Sequence, residues 1–79
     1  MTEIRVPKMG PTTVEVEVME LLVSEGQRIA EGDPLAEVET EKTTVTIEAT
    51  TAGVVSEILV SVGDICGIGE VLCTVEVPG

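Results

Sequence analysis

The sequence repeats itself. Shifted by 37 positions, residues 18–39 lie on residues 55–76 without a gap, and ten of the 22 positions are identical. They include Leu22/Leu59, Gly26/Gly63, Gly32/Gly69, Leu35/Leu72, Val38/Val75 and Glu39/Glu76. Upstream of this run the match persists only with a gap of a few residues. Two copies are too few for a solenoid, whose stacked units need about three or more. Two half-domains packed face to face about a pseudo-twofold axis would instead bury a shared core.

Each half reads as strands. Val, Ile and Thr supply 30 of the 79 residues, and these stiff side chains suit a pleated strand better than a helical turn. Ile4 and Val6 alternate with Glu3 and Arg5 in segment 3–8. Val14, Val16 and Val18 alternate with Glu15 and Glu17, and Val45, Ile47 and Ala49 with Thr44, Thr46 and Glu48. Each pattern predicts a strand with one buried face. Shorter strands fit at 28–30, 35–40, 54–61, 65–68 and 71–77. No stretch sustains a 3.6-residue apolar period. The expected fold is all-β, a flattened barrel or sandwich of two four-stranded antiparallel sheets with internal pseudo-twofold symmetry.

The repeat also carries a bend. Val14, Val16 and Val18 share one phase, whereas Leu21 and Val23 share the other. The same slip falls between Val55 and Ile58. A bulge, or a strand leaving one sheet for the other, accounts for both. The paired glycines, Gly26 and Gly32 with Gly63 and Gly69, fit turns that need positive φ.

Composition narrows the function. Hydrophobic residues make up 43% of the chain and the mean hydropathy is +0.39, values that oppose disorder and allow one small domain. There is no aromatic residue and no histidine, and 15 acidic residues against four basic ones give a net charge of −11. A nucleic-acid binder would want a basic stripe and stacking aromatics. Ser–His or Cys–His catalysis needs the missing histidine. Cys66 and Cys73 are too few for a common zinc site, so no metal is expected. An anionic membrane surface would repel the charge, and no run approaches the roughly 20 apolar residues of a spanning helix. The N-terminal Met1–Val6 lacks the apolar core of a signal peptide, and two cysteines make no disulfide framework. Cytoplasmic residence is the default expectation. Cys66 and Cys73 have apolar repeat partners in Ile29 and Ala36, which points to core packing, with a disulfide between them the alternative.

One hairpin stands out. The strand signals 35–40 and 43–49 are separated by Glu41-Lys42, a two-residue connection without Gly, Asn or Asp. The primed turns favoured there want positive φ, which Glu and Lys take poorly. A hairpin lysine is ordinarily a solvated charge and nothing more. This one is one of only two lysines, on a tip where turn chemistry prefers other residues, midway along a duplicated chain. By the pseudo-symmetry its counterpart is the chain termini, so Lys42 is expected at the end of the domain opposite them.

Glu37-Val38-Glu39-Thr40-Glu41-Lys42 resembles the lipoylation motif, commonly E-x-E-T-D-K, of lipoyl domains in 2-oxo-acid dehydrogenase complexes. Val6-Pro7-Lys8-Met9-Gly10 is similar to that family's M-P-x-L-G opening, and residues 22–29 to its L-V-x-E-G-D-x-V segment. Glu31-Gly32-Asp33-Pro34-Leu35, Ala52-Gly53-Val54-Val55, Val62-Gly63-Asp64 and Gly69-Glu70-Val71-Leu72 match in order, so the resemblance covers nearly the whole chain. Three positions depart from the pattern: Glu41 replaces the usual Asp, Leu21 a common aromatic, and Gln27 the first G-D aspartate.

The resemblance implies a lipoyl domain over residues 1–77, with 78–79 opening a linker, in the acyltransferase component of such a complex. It implies lipoate carried in amide linkage on Lys42. Glu39, Thr40, Glu41 and Thr43 would be recognised around the site, together with the loop Met9, Gly10, Pro11, Thr12 and Thr13. A lipoate-attaching enzyme would acylate the amine and supply the base, since acylation needs the neutral amine and an exposed lysine is a cation near neutral pH. The implied further partners are a thiamin-dependent 2-oxo-acid decarboxylase, the acyltransferase catalytic core and dihydrolipoamide dehydrogenase, with neither nucleic acid nor membrane among them. Two other readings keep the fold. A biotinyl carrier usually has Met-Lys-Met where this chain has Glu41 and Thr43, and in an unmodified structural or adaptor module Lys42 would be incidental. A glycine-cleavage carrier would be longer, with a different lysine context.

Overall fold

A computed structural model describes residues 1–78. Eight strands follow one another: β1 (Thr2–Arg5), β2 (Glu15–Leu21), β3 (Arg28–Ile29), β4 (Pro34–Glu39), β5 (Thr44–Glu48), β6 (Gly53–Ile58), β7 (Ile65–Gly67) and β8 (Val71–Glu76). They form two four-stranded antiparallel sheets, in the order β1-β8-β6-β3 and β5-β4-β2-β7. The expected two-sheet, all-β architecture is the one found. The C-terminal end of the expected 78–79 linker, Gly79, lies outside the described residues.

The duplication is visible in the pairing. The ladder β2–β4 sets Val18 against Val38, and β6–β8 sets Val55 against Val75. Ile4 opposes Cys73 just as Ile47 opposes Ala36, so β1 and β5 hold equivalent places. The apolar phase slip is a bulge in both copies, the register shifting between Val18 and Glu20 and again between Val55 and Glu57. A bulge inserts one unpaired residue and flips the faces that follow, which is why Leu21 and Ile58 point inward where alternation would turn them out. The chain then changes sheets, from β2 to β3 and from β6 to β7.

Four tight turns share one construction. Gly26, Gly32, Gly63 and Gly69 have φ of 88°, 91°, 96° and 92°. Each is the third residue of a turn closed by a backbone bond, Gln27 N–H to Ser24 C=O being the first, at 3.1 Å. Negative φ followed by positive φ is the type II pattern, which requires glycine at that place. A side-chain oxygen braces each turn: Gln27 Oε1 accepts from Ser24 N–H at 3.0 Å, and Asp64 Oδ2 from Ser61 N–H at 2.8 Å. Asp33 and Glu70 brace the backbone N–H groups of Ala30 and Gly67. Gln27 therefore keeps the acceptor that an aspartate would supply.

The core is aliphatic and divides into two clusters. Ile4, Val23, Ile29, Leu35, Ala49, Val55, Cys73 and Val75 make one. Val6, Val16, Val18, Val38, Ile47, Cys66 and Leu72 make the other. Most members exchange under the pseudo-twofold, so the two half-cores are built alike. One expectation fails: Val14, placed by alternation on the buried face of β2, is 74% exposed. It precedes the first residue of β2, beyond the reach of the core, and only its carbonyl is used, by Ile68 N–H at 3.1 Å.

Both cysteines are free and buried. Burial pushes the Cys73 thiol up, and burial with the carboxylates of Glu70 and Asp64 does the same for Cys66. Alkylation needs the thiolate, so both thiols should label far more slowly in the native chain than in denaturant, and denaturation should release two. Mass spectrometry after timed labelling reads this; equal rates would contradict the packing. The folded thiols hold their protons more tightly than unfolded ones, so stability is full below the ordinary thiol value of 9.0 and falls as pH rises beyond it.

Candidate functional site

The β4–β5 ladder ends where Glu39 faces Thr44, and Thr40–Thr43 turn the chain around. Thr40 N–H donates to Thr43 C=O at 2.8 Å. Thr43 N–H donates to the hydroxyl oxygen of Thr40 at 3.1 Å, and Lys42 N–H reaches that oxygen at 3.2 Å. The same hydroxyl donates to Thr43 C=O at 3.0 Å. Among the described residues none other than glycine has positive φ, so the hairpin is not built on a primed turn. A threonine side chain takes over a backbone role here, as Ser and Thr hydroxyls do in turns. That is how Glu41 and Lys42 occupy the tip without glycine or strain.

Thr40→Val keeps the shape and removes the hydroxyl. About 1 kcal/mol of stability should be lost, lowering Tm by roughly 4–8 °C in a domain of this size. Amide exchange at Lys42 and Thr43 should accelerate, and Thr40→Ser should restore both. Unchanged exchange in Thr40→Val would contradict this account of the turn.

Lys42, Glu41 and Glu39 are exposed. Among the described residues the one salt bridge is Arg5–Glu3, at 2.6 Å and half exposed, so no carboxylate pairs with the Lys42 amine. A primary amine held out on a braced turn, without a partner, fits covalent acylation. The symmetry mate of the tip is the open end of the β1–β8 pair, where both termini emerge, in keeping with a tip placed away from the tether.

The first loop reaches this tip, but only in part. Thr13 Oγ1 donates to Glu41 Oε1 at 3.2 Å. Thr12 lines an open groove of about 580 Å³ together with Val14, Glu15, Val16, Glu17, Ile65 and the tip residues 39–42. Met9 is half-buried and packs on the second core cluster. Gly10 and Pro11 are exposed and line no part of the groove. The structure thus brings Thr12 and Thr13 to the lysine, and not Met9, Gly10 or Pro11. Glu39, Thr40 and Glu41 flank the groove, while Thr43 lies on the far side of the turn.

The groove walls Val14, Glu15, Glu17 and Ile65 were not apparent as site residues from sequence. Ile65 carried a signal, since its repeat partner is Arg28, an apolar-for-charged exchange at a matched position.

The fold is a duplicated two-sheet barrel that presents an exposed lysine on a central hairpin. The family model described as "Biotin-requiring enzyme", the biotinyl and lipoyl attachment family, matches residues 2–75, and the chain belongs to that family. It is 34% identical over 76 residues to the dihydrolipoyllysine-residue acetyltransferase components of pyruvate dehydrogenase complexes from Staphylococcus epidermidis and Staphylococcus aureus. The match covers 96% of this chain and 18% of each relative, so the chain spans about a fifth of their length. The fold is similar to the lipoyl domain of the 2-oxoglutarate dehydrogenase complex from Azotobacter vinelandii, with a TM-score of 0.77, 23% identity and 98% coverage of both chains. It also resembles a part of Kluyveromyces lactis urea carboxylase, with a TM-score of 0.65 and 23% identity over 95% of this chain and 7% of that one.

Proposed function

We propose that the chain is a lipoyl carrier domain whose Lys42 Nζ holds lipoate in amide linkage and serves a 2-oxo-acid dehydrogenase complex. The observation that carries this reading is the braced hairpin with its free amine, flanked by Glu41 and Thr43. Those flanks favour lipoate over biotin, whose attachment lysine usually stands between methionines. The relatives at 34% identity support the same choice.

Lys42 would hold the lipoyl group, whose dithiolane would supply the acyl-carrying and redox chemistry. The chain's own residues position it. Thr40 fixes the turn, Thr13 ties the first loop to Glu41, and the extended barrel presents the arm to separate active sites. Tethering raises the local concentration of the arm at each of them. The partners in this reading are a lipoate-attaching enzyme, a thiamin-dependent 2-oxo-acid decarboxylase, an acyltransferase core and dihydrolipoamide dehydrogenase, in the cytoplasm. In this reading residues 1–77 are the carrier unit, with 78–79 as the start of a linker.

Reductive acylation tests this function. The lipoylated domain should gain one acyl group when incubated with a thiamin-dependent decarboxylase and its 2-oxo acid. Running pyruvate and 2-oxoglutarate enzymes in parallel identifies the acyl group. A lipoylated domain that accepts none from any decarboxylase would defeat the carrier role.

A further inference from the structure

Two aliphatic side chains stand in water beside the hairpin. Val14 is 74% exposed and Ile65 57% exposed, and both line the groove of about 580 Å³ that Lys42 also lines. Neither belongs to a core cluster or packs against one. Val16, itself buried, completes the apolar lining. The fold does not demand an aliphatic residue at position 65. Its repeat partner Arg28 holds the equivalent place on β3, where it pairs with Val54 as Ile65 pairs with Glu17. The apolar member of the pair is the one in the groove of the lysine.

The groove selects by chemistry. Glu15, Glu17, Glu39 and Glu41 line it beside the aliphatic residues, so an anion is repelled and a neutral apolar chain is not. Its volume falls in the range of roughly 300–1,000 Å³ that small ligands occupy. A second opening at the tip is lined only by residues 39–44 and offers no Val, Ile or Leu. An apolar group fixed to Lys42 therefore finds its apolar surface in the first. The bond from Thr13 Oγ1 to Glu41 Oε1, at 3.2 Å, ties the first loop to the hairpin and holds Thr12 and Val14 in the groove wall.

We propose that the groove is a resting site for the chain's own lipoyl arm, with the alkyl stem and dithiolane covering Val14 and Ile65. On the carrier reading Lys42 Nζ bears that arm, and the resting site depends on it. Amide formation removes the lysine cation and leaves a neutral, apolar extension, the chemistry that the groove accepts. Covering the two side chains removes aliphatic surface from water. The tether makes a weak contact sufficient, because the arm is always at high local concentration. The arm then exchanges between a parked position on the domain and the extended positions that separate active sites require.

NMR spectroscopy of the isotope-labelled chain tests this without turnover by any partner. The forms compared are the unmodified chain, the chain lipoylated by a lipoate ligase, and a chain carrying acetyl-lysine at position 42, which removes the cation without supplying an arm. Lipoylation should shift the methyl signals of Val14 and Ile65 and give nuclear Overhauser contacts between those methyl groups and the protons of the stem and ring. Acetyl-lysine should leave both methyl signals near those of the unmodified chain. Ile65→Arg, which installs the residue of its repeat partner, and Val14→Ser should each lose the contacts, and retained signal dispersion shows that the variants fold. A lipoylated chain whose Val14 and Ile65 signals match the acetyl-lysine form, or contacts that persist undiminished in both variants, would overturn the resting site and leave the carrier reading intact. A chain whose Lys42 an active ligase leaves unmodified would overturn both.

Discussion

Gly53→Ala should cost more stability than any other glycine substitution in this chain. Gly53 is buried at the start of β6, against β8. A Cβ there would stand 2.7 Å from Val75 Cγ1 and press on the carbonyl oxygen of Glu76. Val75 is fully buried and Glu76 pairs with Val54, so relief must either open the β6–β8 ladder or displace the core. Its φ of 158° adds strain for any side chain. We expect a loss of about 3 kcal/mol or more, the scale of an overpacked core. A domain of this length holds roughly 4–12 kcal/mol in all, so Tm should fall by about 12–24 °C. Gly26→Ala is the control. Gly26 also has positive φ, but nothing lies within 4 Å of its Cβ position, so only a backbone cost of about 1–2 kcal/mol applies. The chain has no Trp or Tyr to report by fluorescence, so far-UV circular dichroism is the measurement. Equal losses for the two variants would mean that β6 and β8 do not approach this closely.

Lys42→Ala should do the reverse, abolishing cargo attachment while leaving the fold untouched. The side chain is exposed and, among the described residues, makes no ion pair, and the turn is held by Thr40 and backbone groups rather than by the lysine side chain. Its removal should change stability by no more than about 0.5 kcal/mol. Lys42→Arg adds a sharper comparison. It keeps the cation on the tip and removes the acylatable amine, so any effect of charge on ligase recognition separates from the chemistry itself. Both variants should take up no lipoate and should melt with the wild type. A Tm shift of more than a few degrees would show that the lysine has a structural role.

Much of this fold is legible along the chain because its signals are local. Alternation located three of the strands, and shorter apolar runs the other five. The phase slips marked bulges near Met19 and Ser56, and the glycine spacing marked four turns of one type. Other features arise only from pairing. Alternation put Val14 in the core, but where a core ends depends on what packs above it. The hairpin was anomalous as a two-residue turn and became ordinary once the Thr40 hydroxyl was seen to accept two backbone N–H groups. Gln27 looked like a lost aspartate until its side-chain oxygen was found in the aspartate's place.

The site shows the same division. Lys42 and its flanking residues are contiguous, so sequence exposes them. The groove combines residues from the first loop, β2, the hairpin and β7, from Thr12 to Ile65, and no local pattern collects them. The cross-strand pairing of like charges is likewise invisible until register sets Glu17 beside Glu39 and Glu20 beside Glu37. Met9, Gly10 and Pro11 are adjacent in sequence to the loop residues that reach the tip, yet Met9 turns into the second core cluster and the other two stand clear of the groove.

Lys42 Nζ should be the one amine of the chain that accepts lipoate. The wild-type chain, incubated with lipoate ligase, ATP and lipoate, should gain a single lipoyl mass increment, and peptide mapping should place it on Lys42 rather than Lys8. Biotin ligase with biotin should add nothing, and Lys42→Arg should stay unmodified by either enzyme. Failure of an active ligase to modify the wild type, or an increment on Lys8, would contradict the account.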